Sequence, residues 1–128
     1  VFIDLVTALP GSLDPADDLG SEFESLESAL AGTLVRPAGR PPSSATLAPA
    51  DDVVGYLASS WRRLAGGDYV FDLRRGVRSP YGHTLSAADV RFSFVRELAR
   101  SATARFLAGV AKIALRDPIT VLGPASVR

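Results

Sequence analysis

The chain has 128 residues, no cysteine, and 14 acidic against 14 basic side chains. That length supports the core of one ordinary domain. The missing thiols exclude disulfides, thiolate catalysis and Cys-based zinc sites. Zero net charge leaves no basic excess to neutralise a nucleic-acid backbone or an anionic membrane surface. Hydrophobic residues at 47% and charged ones at 22% place the chain among globular rather than disordered proteins. The single histidine cannot by itself build a His-rich metal site. No apolar run approaches the roughly 20 residues that span a bilayer. Phe2 to Leu9 lacks the basic start and long apolar centre of a signal peptide, and the first residue is Val. The chain therefore reads as processed or cut from something longer.

In chain order, Val1 to Thr7 alternates loosely and predicts a buried strand over 2–7, ended by Pro10, Gly11 and Pro15. Ser21 with Glu24 makes an S-x-x-E capping box. Phe23, Leu26, Leu30 and Leu34 then recur at spacings of three and four, which predicts a helix over 21–31 closed by Gly32. Glu22, Glu24 and Glu27 in its first turns suit the helix dipole. With no His or Asp partner beside them they read as a solvated face rather than a metal or acid–base site. A short strand is expected over 33–36. The stretch from Pro37 to Pro49 is rich in Pro, Ser, Ala and Gly and reads as a linker, in preference to a docking segment for an SH3-type domain.

A strand over 57–62 carries Trp61, the only tryptophan, read as a core anchor rather than a ligand-stacking ring. Leu64 to Asp68 is the expected hairpin turn into a strand over 69–75, with Tyr69, Phe71 and Leu73 on one face. Gly76 and then Pro80-Tyr81-Gly82 supply two turns. Ser86 and Asp89 form an acidic variant of the capping box. The helix they open, over 87–100, presents Val90, Phe92, Phe94, Val95 and Leu98. A further helical piece is expected over 103–108, then a β-hairpin of 110–116 with 119–122 around Asp117-Pro118. The predicted core is Phe23, Leu26, Leu30, Leu57, Trp61, Phe71, Leu73, Val77, Val90, Phe94, Ile113 and Val121. His83, Ser86 and Asp89 do not make a catalytic triad, since Ser86 and Asp89 are used as a cap and no strained nucleophile turn is in evidence. Arg62, Arg63, Arg74, Arg75 and Arg78 lie close in sequence to Asp68 and Asp72, which favours cross-strand pairing over an anion-docking patch.

Three segments carry a family resemblance. Phe71, Leu73, Arg74, Gly76, Val77, Gly82, Leu85, Ala87, Asp89 and Val90 fall in register with the pattern F-x-L-R-x-G-V-x-F-x-x-G-x-x-L-T-A-x-D-V, with Ser86 where Ser or Thr is usual. Leu57-Ala58-Ser59-Ser60-Trp61 resembles an L-A-x-S-W segment, and Leu13-Asp14-Pro15 an early L-D-P. Together they resemble the family-5 solute-binding proteins of ABC transporters, the oligopeptide-, dipeptide- and nickel-binding group. Ser79 departs from the usual aromatic residue, and Tyr81 from the usual Asp or Asn. Both departures fall in the turn region.

The resemblance implies a mixed α/β (α+β) fold, the N-terminal part of a two-lobed periplasmic-binding-protein-like architecture, with a small mixed sheet and two main helices. It implies that residues 1–36 start the first lobe, 37–50 form a linker-like loop and 51–128 a small α/β subdomain. The rest of the same protein would lie beyond residue 128. It further implies an extracytoplasmic protein with a peptide or similar small solute and a membrane permease as partners, and no nucleic acid, cofactor, metal or catalytic residue. Ala8, Leu9 and Pro10, at the exit of the first strand, become the candidate ligand-lining positions. The alternatives are a sensor domain of the same fold in a regulatory protein, or a stand-alone interaction domain. An enzyme is disfavoured because no nucleophile, metal cluster or phosphate-binding glycine loop is visible.

Overall fold

The computed structural model describes residues 12, 14–17, 32–38 and 53–128. The strand expected over 2–7, the helix over 21–31 with Phe23, Leu26 and Leu30, and most of the linker lie outside the described residues. The described residues fall into two compact units. One takes 33–88 and 121–128, and the other takes 89–120 with the described part of 1–32.

The first unit is all antiparallel. Strands β1 (Val35–Pro37) and β2 (Val53–Gly55) form a two-stranded ribbon, with Arg36 opposite Val54. The ribbon is extended by N–H groups of Tyr56 and Ala58 donating to the Leu34 carbonyl at 3.0 and 2.9 Å. A four-stranded sheet follows in the order β3-β4-β6-β5, from β3 (Ala58–Arg63), β4 (Tyr69–Leu73), β5 (Val121–Gly123) and β6 (Ser126–Val127). The β3–β4 hairpin pairs Trp61 with Phe71 and Arg62 with Val70. Its turn is the expected one: Leu64 N–H donates to the Asp68 carbonyl at 2.7 Å, and Gly67 sits at φ 96, which only glycine adopts at no cost.

The last hairpin differs from the expectation. Val121 and its neighbours pair with Ser126 and Val127, not with 110–116. Residues 110–116 form no strand, because the helix before them runs on to Val110 and then closes through a left-handed residue. Apolar residues at 110, 113 and 115 fit the end of a helix as well as a strand, so their spacing alone could not separate the two.

Two consecutive helices follow, α1 (Ala87–Arg100), whose first two residues belong to the first unit, and α2 (Ala102–Val110), in the second. Helix α1 has the expected bounds, with Ser86 immediately before it, Asp89 in its first turn and Arg100 in its last, each charge suiting its end of the helix dipole. The break between the helices is built by Ser101. Its backbone is extended (φ −86°, ψ 125°), and its buried side chain accepts from the Ala104 N–H at 2.8 Å, an N-cap of α2. Arg105 reaches back from α2 and donates to the carbonyls of Leu98 and Ala99 at 3.0 and 3.3 Å, at the C-terminal end of α1. Because Ser101 combines cap and burial, Ser101→Ala is expected to cost about 1–2 kcal/mol in chemical denaturation.

Helix α2 ends in a Schellman motif. Lys112 N–H donates to Gly109 at 3.1 Å and Ile113 N–H to Ala108 at 2.8 Å, with Lys112 at φ 57. A left-handed non-glycine residue costs about 1 kcal/mol here, so Lys112→Gly is expected to raise stability by roughly 0.5–1 kcal/mol in the same assay.

The core is made of smaller residues than the sequence suggested. Ala58, Val70, Leu73, Ala87 and Val127 are buried in the first unit, and Ala16, Val90, Leu98, Ala108 and Ile119 in the second. Leu73 and Val90 match the expectation, while Leu57, Phe71, Val77 and Phe94 are half-buried. Trp61, Ile113 and Val121 are exposed, against expectation. Trp61 lies on β3, where only Ala58 is buried, and a sheet-edge ring there keeps 38% of its surface in water. Val121 lies on the terminal strand β5, and Ile113 follows the helix cap. On β4, Tyr69 is exposed and Val70 is buried. Phe92 is 67% exposed, since it sits about 200° around the helix from Val90.

Candidate functional site

Three polar arrangements fix the segments that carry the motifs. The first holds the turn after Ser12 to α1. The Asp14 carboxylate is gripped by both terminal nitrogens of Arg96: Nη1 donates to Oδ1 at 2.7 Å, and Nη2 to Oδ2. Oδ1 also accepts from the Ala16 N–H at 3.1 Å, while the Asp17 N–H donates to the Asp14 carbonyl at 3.0 Å, closing a 3₁₀ turn over Pro15–Asp17. Asp17 in turn accepts from Arg100, with Nε at 3.1 Å. Ser12 completes the set, its hydroxyl donating to Asp17 at 2.7 Å and accepting from the Asp14 N–H at 3.0 Å.

The Arg96 hydrogen bond is the chief reason the Asp14 carboxyl is held down to about 2, with the Ala16 N–H helping. Arg100 and then Ser12 lower Asp17 in the same way, and Asp14 raises Arg96. These carboxyls bind protons more weakly in the folded chain than in the unfolded one. Their contribution to stability is therefore complete above the ordinary Asp value of 3.8 and is lost as the pH falls from there towards about 2. The melting temperature of the wild type is expected to fall across that window, and Asp14→Asn is expected to flatten part of the fall.

The second arrangement explains the F-D-L-R-x-G stretch. The Arg74 side chain donates to the Tyr56 and Gly55 carbonyls at 2.6 and 3.2 Å, and its N–H donates to Leu57 at 2.8 Å. One arginine thus ties the end of β4 to the bend before β3. The chain then turns at Gly76 (φ 74) and makes an isolated bridge between Arg78 and Thr84. Within that loop, Ser79 to Gly82 is a tight turn with Gly82 at φ 85. The Ser79 hydroxyl accepts from the His83 N–H at 3.2 Å. Ser79 is therefore a local turn fastener, a use open to Ser and closed to an aromatic residue. Tyr81 at the tip is 98% exposed. The loop rejoins the sheet where the Ala87 N–H donates to the Pro124 carbonyl at 2.9 Å.

The third arrangement centres on Asp72, which lies opposite Ser60 on β3 and Ser126 on β6. It accepts from both hydroxyls, at 3.2 Å from Ser60, and Arg62 lies 3.6 Å away. Ser126 is the main cause of its lowered pKa, with Ser60 and Arg62 adding to it. Asp68 faces Arg128 at 3.9 Å. The arginines thus divide: Arg62 pairs across strands as expected, whereas Arg74 binds backbone carbonyls.

Ala8, Leu9 and Pro10 lie outside the described residues. His83 is exposed in the 79–84 loop. No group of three or more His, Cys, Asp or Glu side chains capable of holding a metal occurs among the described residues. No described helix is long and apolar enough to cross a membrane. Sequence reasoning missed the Arg96 and Arg100 grip on Asp14 and Asp17. A signal was present: two aspartates three apart and two arginines four apart, the latter on one helix face.

A small antiparallel sheet whose central strand leads through a glycine-punctuated loop into a helix matches part of a periplasmic-binding-protein fold. One matching solved structure is the PBP/SBP MoaA of A. tumefaciens R10 in complex with mannopinic acid. It is 28% identical, with a TM-score of 0.66, over 90% of this chain and 22% of that one. Another is OppA of Burkholderia pseudomallei, 21% identical with a TM-score of 0.68, over 95% of this chain and 24% of that one. The chain matches family-5 solute-binding proteins of this kind, as the motifs implied, and spans about a quarter of their length. No protein-family model and no curated protein matches the sequence.

Proposed function

We propose that this chain is the N-terminal portion of the extracytoplasmic solute-binding component of an ABC importer, a non-enzymatic protein that captures a peptide or similar small solute by closure of two lobes. The observation that supports it best is the fold match over 90% and 95% of the chain to two solute-binding proteins. On this reading Ala8, Leu9 and Pro10 line the solute cleft at the exit of the first strand. Residues 1–36 begin the first lobe, 37–50 link, and 51–128 form the small subdomain. A membrane permease receives the solute. Mannopinic acid, held by one matching protein, and short peptides are the two solute classes to try first.

Native mass spectrometry of the natural polypeptide, purified from its source cells without dialysis, tests this. The reading expects a retained small solute, or a saturable mass shift with mannopinic acid or a tripeptide pool. A polypeptide that is bare as isolated and stays bare against both contradicts it.

A further inference from the structure

Between Asp72 and Asp89 the chain carries no acidic residue, but three arginines and its single histidine. Most of the described arginines are spent within the fold. Arg62, Arg91 and Arg128 reach aspartates, and Arg74 and Arg105 reach backbone carbonyls. Arg75 and Arg78 are not spent in this way. Both are exposed, and among the described residues neither side chain has an ion-pair or hydrogen-bond partner. The cross-strand pairing expected for them is absent.

The hairpin that carries these two charges is firmly built. Arg78 bridges Thr84, the Leu85 N–H donates to the Val77 carbonyl at 2.9 Å, and the Ser79 N–H donates to the His83 carbonyl at 2.8 Å. Both feet are tied down, through the Arg74 N–H to Leu57 at 2.8 Å and the Ala87 N–H to Pro124 at 2.9 Å. Half-buried Val77 and Leu85 supply its apolar hold. At the tip, Tyr81 leaves 98% of its surface in water, so its ring adds nothing to the core. The turn does not need the ring either, since Gly82 at φ 85 makes the bend. A preformed loop loses little entropy on binding, and Tyr and Arg are the residue types that most often carry binding energy at protein interfaces.

From this we infer that the hairpin over 75–84 is a docking element for another protein, and that the surface it takes is acidic. Arg75 and Arg78 are three residues apart, so their Cα atoms lie within about 11 Å, near one Debye length at 0.1 M salt. One cluster of carboxylates on the partner therefore feels both charges. A lipid surface is held by roughly four to eight basic residues together, and two free arginines fall short of that. A nucleic-acid backbone needs several phosphate contacts in the same way. A projecting tip also lacks the concave shape that encloses a small anion. The inference is independent of the solute-binding reading.

The test is fluorescence anisotropy of a labelled peptide, eight Glu around a central Leu, titrated with this chain at 20 mM salt. Saturable binding is expected, with none to the counterpart made with Lys and a steep loss towards about 0.5 M salt. Arg75→Gln combined with Arg78→Gln is expected to weaken binding about tenfold, and Tyr81→Ala about threefold. Arg63→Gln, which removes an equally exposed arginine from β3, is expected to change nothing. Absence of peptide binding overturns the proposal. So does a loss in Arg63→Gln equal to that in the double variant, which would mean diffuse surface charge. Binding to vesicles with about 30% phosphatidylserine in place of the peptide would assign the hairpin to a membrane. Self-association abolished by the double variant, without peptide binding, would assign it to a second copy. Either result also overturns the proposal. Should the double variant fail to fold, Arg75→Gln and Tyr81→Ala decide singly.

Discussion

Gly55→Ala is expected to destabilise the chain by about 3 kcal/mol, the upper end of the usual cost of overpacking. A Cβ placed on Gly55 would lie 2.4 Å from the Ala58 carbonyl oxygen, closer than real Cβ atoms come to anything. The obstacle is backbone and not the tip of a side chain, so relief requires moving the bend between β2 and β3. That bend is where the Arg74 side chain binds the Gly55 and Tyr56 carbonyls, and where Ala58, completely buried, starts β3. The Trp61 ring, 3.6 Å from the same imagined Cβ, closes the other side. Urea denaturation of the variant checks this. A loss below about 0.5 kcal/mol, within the usual range of a neutral surface change, would mean the bend has slack the geometry does not show.

Leu73→Ala is the second large loss, expected at about 3 kcal/mol within the 2–5 range for deleting a buried leucine. Leu73 ends β4, an inner strand of the sheet, and is 4% exposed. Its backbone pairs on both sides, with Ala58 across β3 and through its N–H to the Ala125 carbonyl at 2.8 Å. Neighbours held by hydrogen bonds on two sides cannot easily collapse into the space left, which keeps the cavity term large. Tyr69→Ala, at the exposed start of the same strand, is the comparison and is expected to cost far less, though it gives up the stacked contact with the Phe71 ring.

The contrast between Leu73 and Tyr69 also shows how far the sequence could be read. Turn chemistry was legible: Gly67, Gly76 and Gly82 all take the positive φ that their turn signals called for. The bounds of α1 were legible, with Ser86 and Asp89 marking its start, but the Ser101 cap that separates it from α2 was not singled out. Burial was less so. Apolar alternation put Tyr69 on one face with Phe71 and Leu73, but β4 is covered unevenly and the buried residue beside Tyr69 is Val70. Trp61 looked like an anchor by size, yet size does not say whether a strand lies at the edge of its sheet. The final hairpin was misplaced because an apolar run beyond a helix is ambiguous until the helix end is known. The helix ends at Val110, and the left-handed turn that closes it falls on Lys112, a residue with no special preference for that conformation. Of the candidate site, the motif residues were legible one by one. Their fastenings were not: Asp14 to Arg96, Arg74 to Tyr56 and Asp72 to Ser126 join positions far apart in sequence, and spacing along the chain does not encode such pairs.

The intact mass of the natural polypeptide in cells of its source decides whether this chain is part of a two-lobed solute-binding protein. Two solute-binding proteins match this chain over 22% and 24% of their lengths, so a mass about four times the 13.5 kDa of the present chain is expected. A natural mass near 13.5 kDa would contradict it, since one chain would then never complete a two-lobed solute cleft.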